Sequence, residues 1–423
     1  MNILVVGSGG REHAICHTFS RSNKLSSLFC ANGNAGIATV AECVHIAPDE
    51  IYRLAEFANQ NKIDLTFIGG ETALAMGVVD VFEEKGLKVI GPSQAAARLE
   101  ASKAFSKDFM ARHQVPTATY IVAESPGAAA EELERGVFGD ESAPVVVKAD
   151  GLAAGKGVVV ARNRSEALDA ILELKSIAGA EAASKIVLEE LLEGPEISLI
   201  MFADGNDFAL MPPTRDHKRI GEGDTGPNTG GMGTITDDSL LSPQQTEEII
   251  REIIKPTLKG CTAEGFPFRG ILFLGLMMTA DGPKVLEYNV RFGDPETQSI
   301  LVRLETDLVD ICEAMLDGRL SEIDIRWRRG NSATVVLAAE GYPQSPRRGD
   351  VIRGMDEASK EDGVTLFHAG TARSGNGDFM TAGGRVLGVT AVDDSLHEAL
   401  ERSYRAVSKI SWEGMQFRRD IGK

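Results

Sequence analysis

Glu287, Asn289 and Arg291 stand two residues apart in PKVLEYNVRFGDPETQ (Pro283 to Gln298), interleaved with Leu286, Tyr288 and Val290. Alternate side chains of an extended strand share a face. A carboxylate, an amide oxygen and a guanidinium would therefore line one surface, with the apolar side chains on the other. The oxygens suit a hard cation such as Mg²⁺, and the guanidinium suits an anion. Gly293-Asp294-Pro295-Glu296 then breaks the strand. Taken alone, the stretch also reads as a half-buried strand with a solvated polar side.

Four other stretches carry chemistry-bearing residues. VVVKADGLAAGKGVVV places Lys148 at a strand end and Gly155, Lys156 and Gly157 in the loop Gly151 to Gly157. It is not a Walker A loop, because Gly157 stands where Ser or Thr belongs and a strand follows instead of a helix. A glycine hairpin with two lysines can fold over a polyphosphate; the plainer reading is a hairpin with solvated lysines. Thr214 to Arg219 includes Asp216, His217 and Lys218 and runs into GEGDTGPNTGGMG, where six of thirteen residues are glycine. Such a tract is an exposed loop or a backbone that closely approaches a ligand. Among those cations His217 is a ligand, a base or an anion contact. IVLEELL (Ile186 to Leu192), with Glu189, Glu190 and Leu192, offers strand-end backbone groups to a purine edge. Glu196 can accept from ribose hydroxyls, although an acidic strand end is usually just solvated. Finally, GSGGREH brings Gly9, Gly10 and Arg11 to a strand–helix turn where backbone N–H groups can meet a phosphate. Glu12 holds the place of the third glycine of a dinucleotide fingerprint, so an NAD site is weakly supported, and a tight turn is the bland reading.

These stretches need a scaffold. Residues 1–102 read as a doubly wound, Rossmann-like α/β unit, with strands at Ile3 to Val6, Leu28 to Cys30, Leu65 to Ile68 and Leu87 to Ile90 alternating with helices. Ligands of such parallel sheets bind beyond the carboxyl ends of the strands. A helical link carrying Ser102, Lys103, Ser106 and Lys107 leads into residues 103–325. Within these, 120–190 form a small β-loop-β-α-β module, followed by a helix at Pro243 to Lys259, paired strands at Gly270 to Thr279 and Lys284 to Val290, and a helix from Glu296 into Ala314. Residues 326–423 read as a β-rich C-terminal domain. The fold class is a multidomain α/β and α+β protein.

Composition narrows the functions. The chain has 423 residues, 43% hydrophobic and 25% charged, as in soluble globular proteins. No apolar run is long enough to span a membrane, and MNILVVGSGG lacks the basic start of a signal peptide. Five scattered cysteines argue against a disulfide framework or zinc site and point to the cytoplasm. The net charge of −18 argues against a nucleic-acid or anionic-membrane partner. An anionic substrate would need a local island of positive charge.

KADGLAAGKGVVVA, DHKRIGEGDTGPNTGGMG and LEYNVRFGDPETQ together closely resemble the ATP-grasp ligases of purine synthesis, specifically the phosphoribosylamine–glycine ligase family. GSGGREH, GPSQAAARLEASKAFSKDFM, FHAGT and GRVLGVTA extend the resemblance over nearly the whole chain. It implies an ATP-grasp core with a mobile lid, and ATP, glycine and 5-phosphoribosylamine as substrates of a monomeric carbon–nitrogen ligase. Glycine would be phosphorylated to glycyl phosphate and then captured by the amine, giving glycinamide ribonucleotide, ADP and phosphate. The resemblance implies Glu287 and Asn289 as ligands of Mg²⁺ or Mn²⁺, and Lys107 and Lys148 as nucleotide-phosphate lysines. It implies Glu189 to Leu192 as the adenine hinge, Glu196 as the ribose carboxylate and Gly151 to Gly157 as the lid loop. Arg291, Asp216, His217 and Lys218 would lie near glycine and the acyl phosphate, with Arg291, Asp216 and Lys218 catalytic. Gly9, Gly10 and Arg11 would meet the phosphoribosylamine phosphate.

The sequence departs from the family pattern at Gly70-Glu71-Thr72-Ala73-Leu74, at Arg215, at Val290 and after Gly233. The first two border the amine pocket and motivate one rival reading, an ATP-grasp ligase with another acid or amine. An NAD-dependent oxidoreductase and a nucleotide-binding protein without catalysis are the others. The missing third glycine disfavours the former, and the complete Glu287, Asn289 and Arg291 set disfavours the latter.

Overall fold

Residues 2–7, NILVVG, form a central strand because Ile3, Leu4, Val5 and Val6 are buried completely, which requires a sheet covered on both faces. The structure, a computed structural model, describes residues 1–152 and 157–423, apart from the side chains of Lys175, Ile177 and Ala178. Gly155 and Lys156 therefore lie outside the described residues. Strands β1 (Asn2–Gly7), β2 (Ser27–Asn32), β3 (Glu42–Val44), β4 (Leu65–Ile68) and β5 (Val89–Ile90) pair in parallel in the order β3-β2-β1-β4-β5. The order reverses between β1 and β4. The loops after Gly7 and Ile68 therefore open into one crevice, the usual ligand position of such sheets.

A second unit holds β6 (Tyr120–Ala123), β7 (Val145–Ala149), β8 (Val158–Ala161) and β9 (Ile186–Glu190), antiparallel in the order β6-β9-β7-β8. Helices Pro126–Glu134 and Arg164–Ala178 pack on it around Leu133, Val145, Val147, Leu174 and Leu188. The helix Lys103–Arg112 is pinned to this unit at its start. Ser102 caps it, accepting from the Phe105 N–H at 3.1 Å, and Asp150, just past β7, accepts from Ser102 Oγ at 2.9 Å and the Ala104 N–H at 2.7 Å.

The largest sheet contains β10 (Glu196–Asp204), β11 (Phe208–Leu210), β12 (Thr214–Asp216), β15 (Gly233–Thr236), β16 (Arg269–Thr279), β17 (Gly282–Asn289), β18 (Asn331–Ala338), β19 (Val364–His368) and β22 (Arg385–Asp393). It runs β17-β16-β10-β12-β15-β18-β22-β19, with β11 on β10. It passes without a break across residue 326, because β15 pairs with β18 over Thr236↔Ser332 to Gly233↔Val335. Buried hydroxyls stitch the crossing. Thr234 Oγ1 lies 2.6 Å from Ser299 Oγ, which lies 2.8 Å from Thr334 Oγ1, itself 2.8 Å from Thr390 Oγ1.

Two expectations change. The helix from Glu296 does not reach Ala314. It stops at Leu301, and a second runs Leu308–Leu316, capped by Asp307, whose Oδ1 accepts from the Val309 N–H at 2.9 Å. Between them the Glu305 N–H turns out to the Arg326 carbonyl at 3.0 Å. The glycine-rich tract is a hairpin of β13 (Arg219–Gly221) and β14 (Thr225–Asn228), not an open loop. Arg418, only 2% exposed, clamps it to the C-terminal segment through Asp224 at 2.6 Å and Asp420 at 2.8 Å. A second hairpin joins β20 (Thr371–Arg373) and β21 (Phe379–Thr381). Among the described residues no helix is long and apolar enough to cross a membrane, and all five cysteines are free.

Candidate functional site

Strand β17 alternates as its sequence predicts, except at one point. Gly275 of β16 faces Glu287, but Leu276 faces Val285, so Leu286 is an extra residue in a bulge. Val285, Tyr288 and Val290 enter the main core. Leu286 instead joins Ala118, Leu192 and Met277 in a small apolar patch, so it does not share a face with Tyr288 and Val290. Glu287 is held below the usual carboxylate range: burial opposes this, but the Lys218, Lys148 and Lys103 ammoniums outweigh it. Asn289 Oδ1 accepts from Arg291 Nη2 at 3.1 Å.

Arg291 is the hub of an ion-pair cluster. Its Nη2 lies 2.7 Å from Glu100 Oε1, and its Nε donates to Glu71 Oε2 at 3.1 Å. Glu100 Oε2 accepts from the Val290 N–H at 2.8 Å, fixing the strand end and its arginine together. Arg11 Nη1 lies 3.8 Å from the same Glu71 oxygen and donates to the Phe292 carbonyl at 3.0 Å. Burial would raise Glu71, but Arg291 and then Arg11 hold it down at about 2.

The two expected phosphate lysines meet on one carboxylate. Lys107 Nζ lies 2.9 Å from Glu189 Oε2, and Lys148 Nζ lies 2.7 Å from Glu189 Oε1. Lys107 also donates to Thr117 Oγ1 at 2.7 Å, and Lys148 to the Leu286 carbonyl at 3.2 Å. Burial lowers Lys107 to about 8 against the pull of Glu189. Glu189 is thus a buried side chain one residue from the end of its strand, with β6 and β7 on either side. The strand ends at Glu190, so Leu191 and Leu192, expected as part of the adenine hinge, lie just beyond its ladder. Gly157 is buried, and its carbonyl accepts from the Ala149 N–H at 2.8 Å, closing the hairpin base.

Asp216, His217 and Lys218 diverge. Lys218 Nζ lies 2.5 Å from Glu196 Oε2, and its ammonium also acts on Glu287. Burial and then Glu296 push Asp216 well above the usual carboxylate range, with Lys218 and Arg385 opposing. His217 points the other way. Its Nδ1 lies 3.1 Å from the Gly233 carbonyl, and its Nε2 accepts from the Gly422 N–H at 3.0 Å. Burial lowers it to about 4. A neutral imidazole tied at both nitrogens anchors the run to the C-terminus and has no free nitrogen for a ligand.

At the end of β1, Glu12 Oε2 accepts from the Gly9 N–H at 2.6 Å, and Oε1 accepts from Arg11 Nε at 2.6 Å. A Cβ on Gly7 or Gly69 would fall 2.4 Å from Glu12 side-chain atoms. The residue that replaces the third glycine therefore packs its own carboxylate against Gly7, Gly9 and Gly69, which disfavours a dinucleotide there. Gly10 packs so closely on Gln298 that a Cβ would fall 2.5 Å from its Nε2. Asp294 beside them pairs with Arg385 at 2.8 Å.

The fold thus links Glu287, Asn289, Arg291, Lys107, Lys148, Lys218, Glu196 and Arg11 in one connected cluster of charged and polar side chains. Sequence reading missed Glu71, Glu100, Lys103 and Glu296 as site residues. Glu71 lay in a stretch already marked as unusual; Glu100 carries no local signal. Among the described residues no group of three or more His, Cys, Asp or Glu could hold a metal. The Glu287 carboxylate and the Asn289 amide offer oxygen donors of the kind that suit a hard divalent cation drawing its remaining oxygens from phosphates and water.

A small antiparallel sheet supplying one lysine, a helix supplying another, and a larger sheet supplying an acid and an amide together define an ATP-grasp enzyme. Comparisons with known proteins narrow the class. Models of the phosphoribosylglycinamide synthetase N domain, ATP-grasp (A) domain and C domain match residues 1–100, 101–297 and 332–423. The chain belongs to this family. It is 48% identical over 427 residues to the phosphoribosylamine–glycine ligase of Vibrio vulnificus strain YJ016, covering 100% of this chain and 98% of that protein. It superposes on the crystal structure of the phosphoribosylamine–glycine ligase of Thermotoga maritima with a TM-score of 0.85, 33% identity and 100% coverage of both chains. Biotin carboxylase from Campylobacter jejuni shares the fold alone, with TM-score 0.72 at 16% identity over 98% of this chain and 92% of that one.

Proposed function

We propose that this protein joins glycine to 5-phosphoribosylamine at the expense of ATP, giving glycinamide ribonucleotide, ADP and phosphate. The observation that carries the reading is the charge cluster in which Lys148, Lys103 and Lys218 act on Glu287, Lys107 joins Lys148 through Glu189, and Asn289 meets Arg291 two residues on. Phosphoryl transfer needs positioned cations more than a covalent enzyme group, and this cluster provides them.

ATP lies with its phosphates on Lys107 and Lys148 and its adenine on the Leu286, Leu192, Ala118 and Met277 patch, read by the Glu190 to Leu192 backbone. The Gly151 to Gly157 loop, including Gly155, Lys156 and Gly157, closes over the phosphates. Glu196 accepts from the ribose hydroxyls, which releases Lys218 from its ion pair toward the reacting phosphate. Mg²⁺ or Mn²⁺, held by Glu287 and Asn289, would neutralise charge on the transferred phosphoryl group. The glycine carboxylate oxygen attacks the γ-phosphorus, the bond to the β,γ-bridging oxygen breaks, and ADP leaves as glycyl phosphate forms. Asp216 holds the glycine ammonium, while Arg291 and Lys218 face the acyl phosphate. His217 serves glycine binding indirectly, by anchoring Asp216 and Lys218. Gly9, Gly10 and Arg11 hold the phosphate of the amine substrate in the crevice shared with Glu71. Its amine attacks the glycyl carbonyl, phosphate leaves and the amine loses a proton. Excluding water protects the acyl phosphate. The enzyme acts as a monomer in the cytoplasm.

The test is product formation from ATP, glycine and freshly made phosphoribosylamine. ADP release must depend on both glycine and the amine. Faster turnover with another acid or amine, which the altered 70–74 stretch motivates, would replace this reading with a different ligase.

A further inference from the structure

Glu189 places a negative charge between the two lysines proposed to meet a polyphosphate. Its carboxylate bridges two ammoniums from separate elements, Lys107 on the helix Lys103–Arg112 and Lys148 on β7, at 2.9 and 2.7 Å. The Lys107, Lys148 and Glu189 side chains are 3%, 8% and 2% exposed. Burial disfavours a charged lysine, and two buried ammoniums side by side disfavour one another. The remaining contacts are neutral and few: Thr117 Oγ1 and the Leu286 carbonyl. Thr117 already donates its proton to the Val285 carbonyl at 2.6 Å, so it can only accept from Lys107.

We propose that the Glu189 side chain is a charge keeper, holding Lys107 charged and holding the Lys107 and Lys148 side chains together while no nucleotide is bound. The proposal rests on the reading of these lysines as phosphate ligands. The charged groups facing Lys107 are Glu189 and Glu190 of β9 and Lys148 of β7, and the Tyr120 ring of β6 lies 5.9 Å away. Lys103, from its own helix, and Glu287 of β17 lie near Lys148. Even with Glu189 present, Lys107 stands at about 8. Without that carboxylate, burial and Lys148 are left nearly unopposed, and the lysine is neutral at physiological pH. ATP would then have to recruit a proton on binding. A competing effect is that Glu189 repels phosphate; the two effects predict opposite signs.

Glu189→Gln keeps the shape and removes the charge. ATP binding is measured by calorimetry in buffers of different ionisation enthalpy, with steady-state KM values for ATP and glycine alongside. We expect the ATP Kd to weaken about tenfold at pH 8, since one unit of lysine pKa is a tenfold change in the protonated share. The loss should shrink at pH 6.5. Proton uptake on ATP binding should approach one per site in the variant, well above wild type, with the glycine KM unchanged. Glu189→Asp, which keeps the charge, should recover most of the affinity. Equal or tighter ATP binding by Glu189→Gln, without extra proton uptake, would overturn the proposal. Lys107→Ala separates this from the parent reading. If Lys107→Ala binds ATP as wild type does, the phosphate-lysine reading fails. If it loses ATP while Glu189→Gln is unaffected, only the charge-keeper role fails.

Discussion

Arg291 and Glu71 meet across 220 residues of sequence, with Arg291 Nε donating to Glu71 Oε2 at 3.1 Å. One follows the large-sheet strand β17; the other begins the short helix Glu71–Ala75 after β4 of the parallel sheet. Because Arg11 lies 3.8 Å from the same Glu71 oxygen, this carboxylate joins the proposed acyl-phosphate and amine-phosphate sites.

Glu71→Gln should therefore damage the second half-reaction more than the first. Hydrogen bonds to charged groups are worth about 1.5–3 kcal/mol, so kcat/KM for phosphoribosylamine should fall roughly 10- to 150-fold, with the ATP KM within about twofold of wild type. Steady-state kinetics with each substrate varied will decide it. Since Glu71 is held from 4.5 down to about 2, its stabilising contribution is complete above its unfolded value and is lost as pH falls from 4.5 through 2. The variant should have a flatter acid-unfolding profile in that window.

Glu287→Gln retains the shape of the proposed metal ligand without its charge. Turnover should drop steeply, by about 10- to 100-fold at low millimolar Mg²⁺, and recover partly as Mg²⁺ is raised. Identical magnesium titrations for the two proteins would remove Glu287 from the metal site.

His217 is buried neutral, so its sign is opposite to that of a salt-bridged histidine. Its contribution to stability is complete above the ordinary value of 6.5 and is lost as pH falls through about 4. His217→Ala should cost about 1–3 kcal/mol at pH 7.5, because it orphans the Gly422 N–H. The cost should shrink toward pH 4.5 in urea melts. A variant with unchanged stability but no glycine turnover would instead make His217 a direct substrate ligand.

The bulge at Leu286 separates two neighbours by function. Val285→Ala should destabilise the protein by about 1–3 kcal/mol, as a fully buried core truncation does, with little kinetic effect in the folded fraction. Leu286→Ala should instead raise the ATP KM about three- to tenfold with a smaller loss of stability. Denaturant midpoints measured beside the ATP KM distinguish them; the reverse pattern would place Leu286 in the core.

Local pattern carried much of this. Four consecutive apolar residues before GSGG announce a buried parallel strand, and the period-two spacing of Glu287, Asn289 and Arg291 puts them on one surface whatever surrounds the strand. Motif order and spacing carried the resemblance to the family. Three things had no local signature. Leu286 changes faces because β16 and β17 slip by one residue, which depends on the partner strand. His217 resembles a ligand inside a basic run, yet its imidazole is claimed by backbone groups at Gly233 and Gly422. Glu189 reads as a solvated strand end until the helix carrying Lys107 and strand β7 carrying Lys148 close on it. Strand type and the alternation of side chains between faces follow from near-neighbour sterics and are written in the chain; where a bulge interrupts that alternation is not. Which charges are buried together depends on how separate sheets and helices pack, and only the tertiary structure decides it.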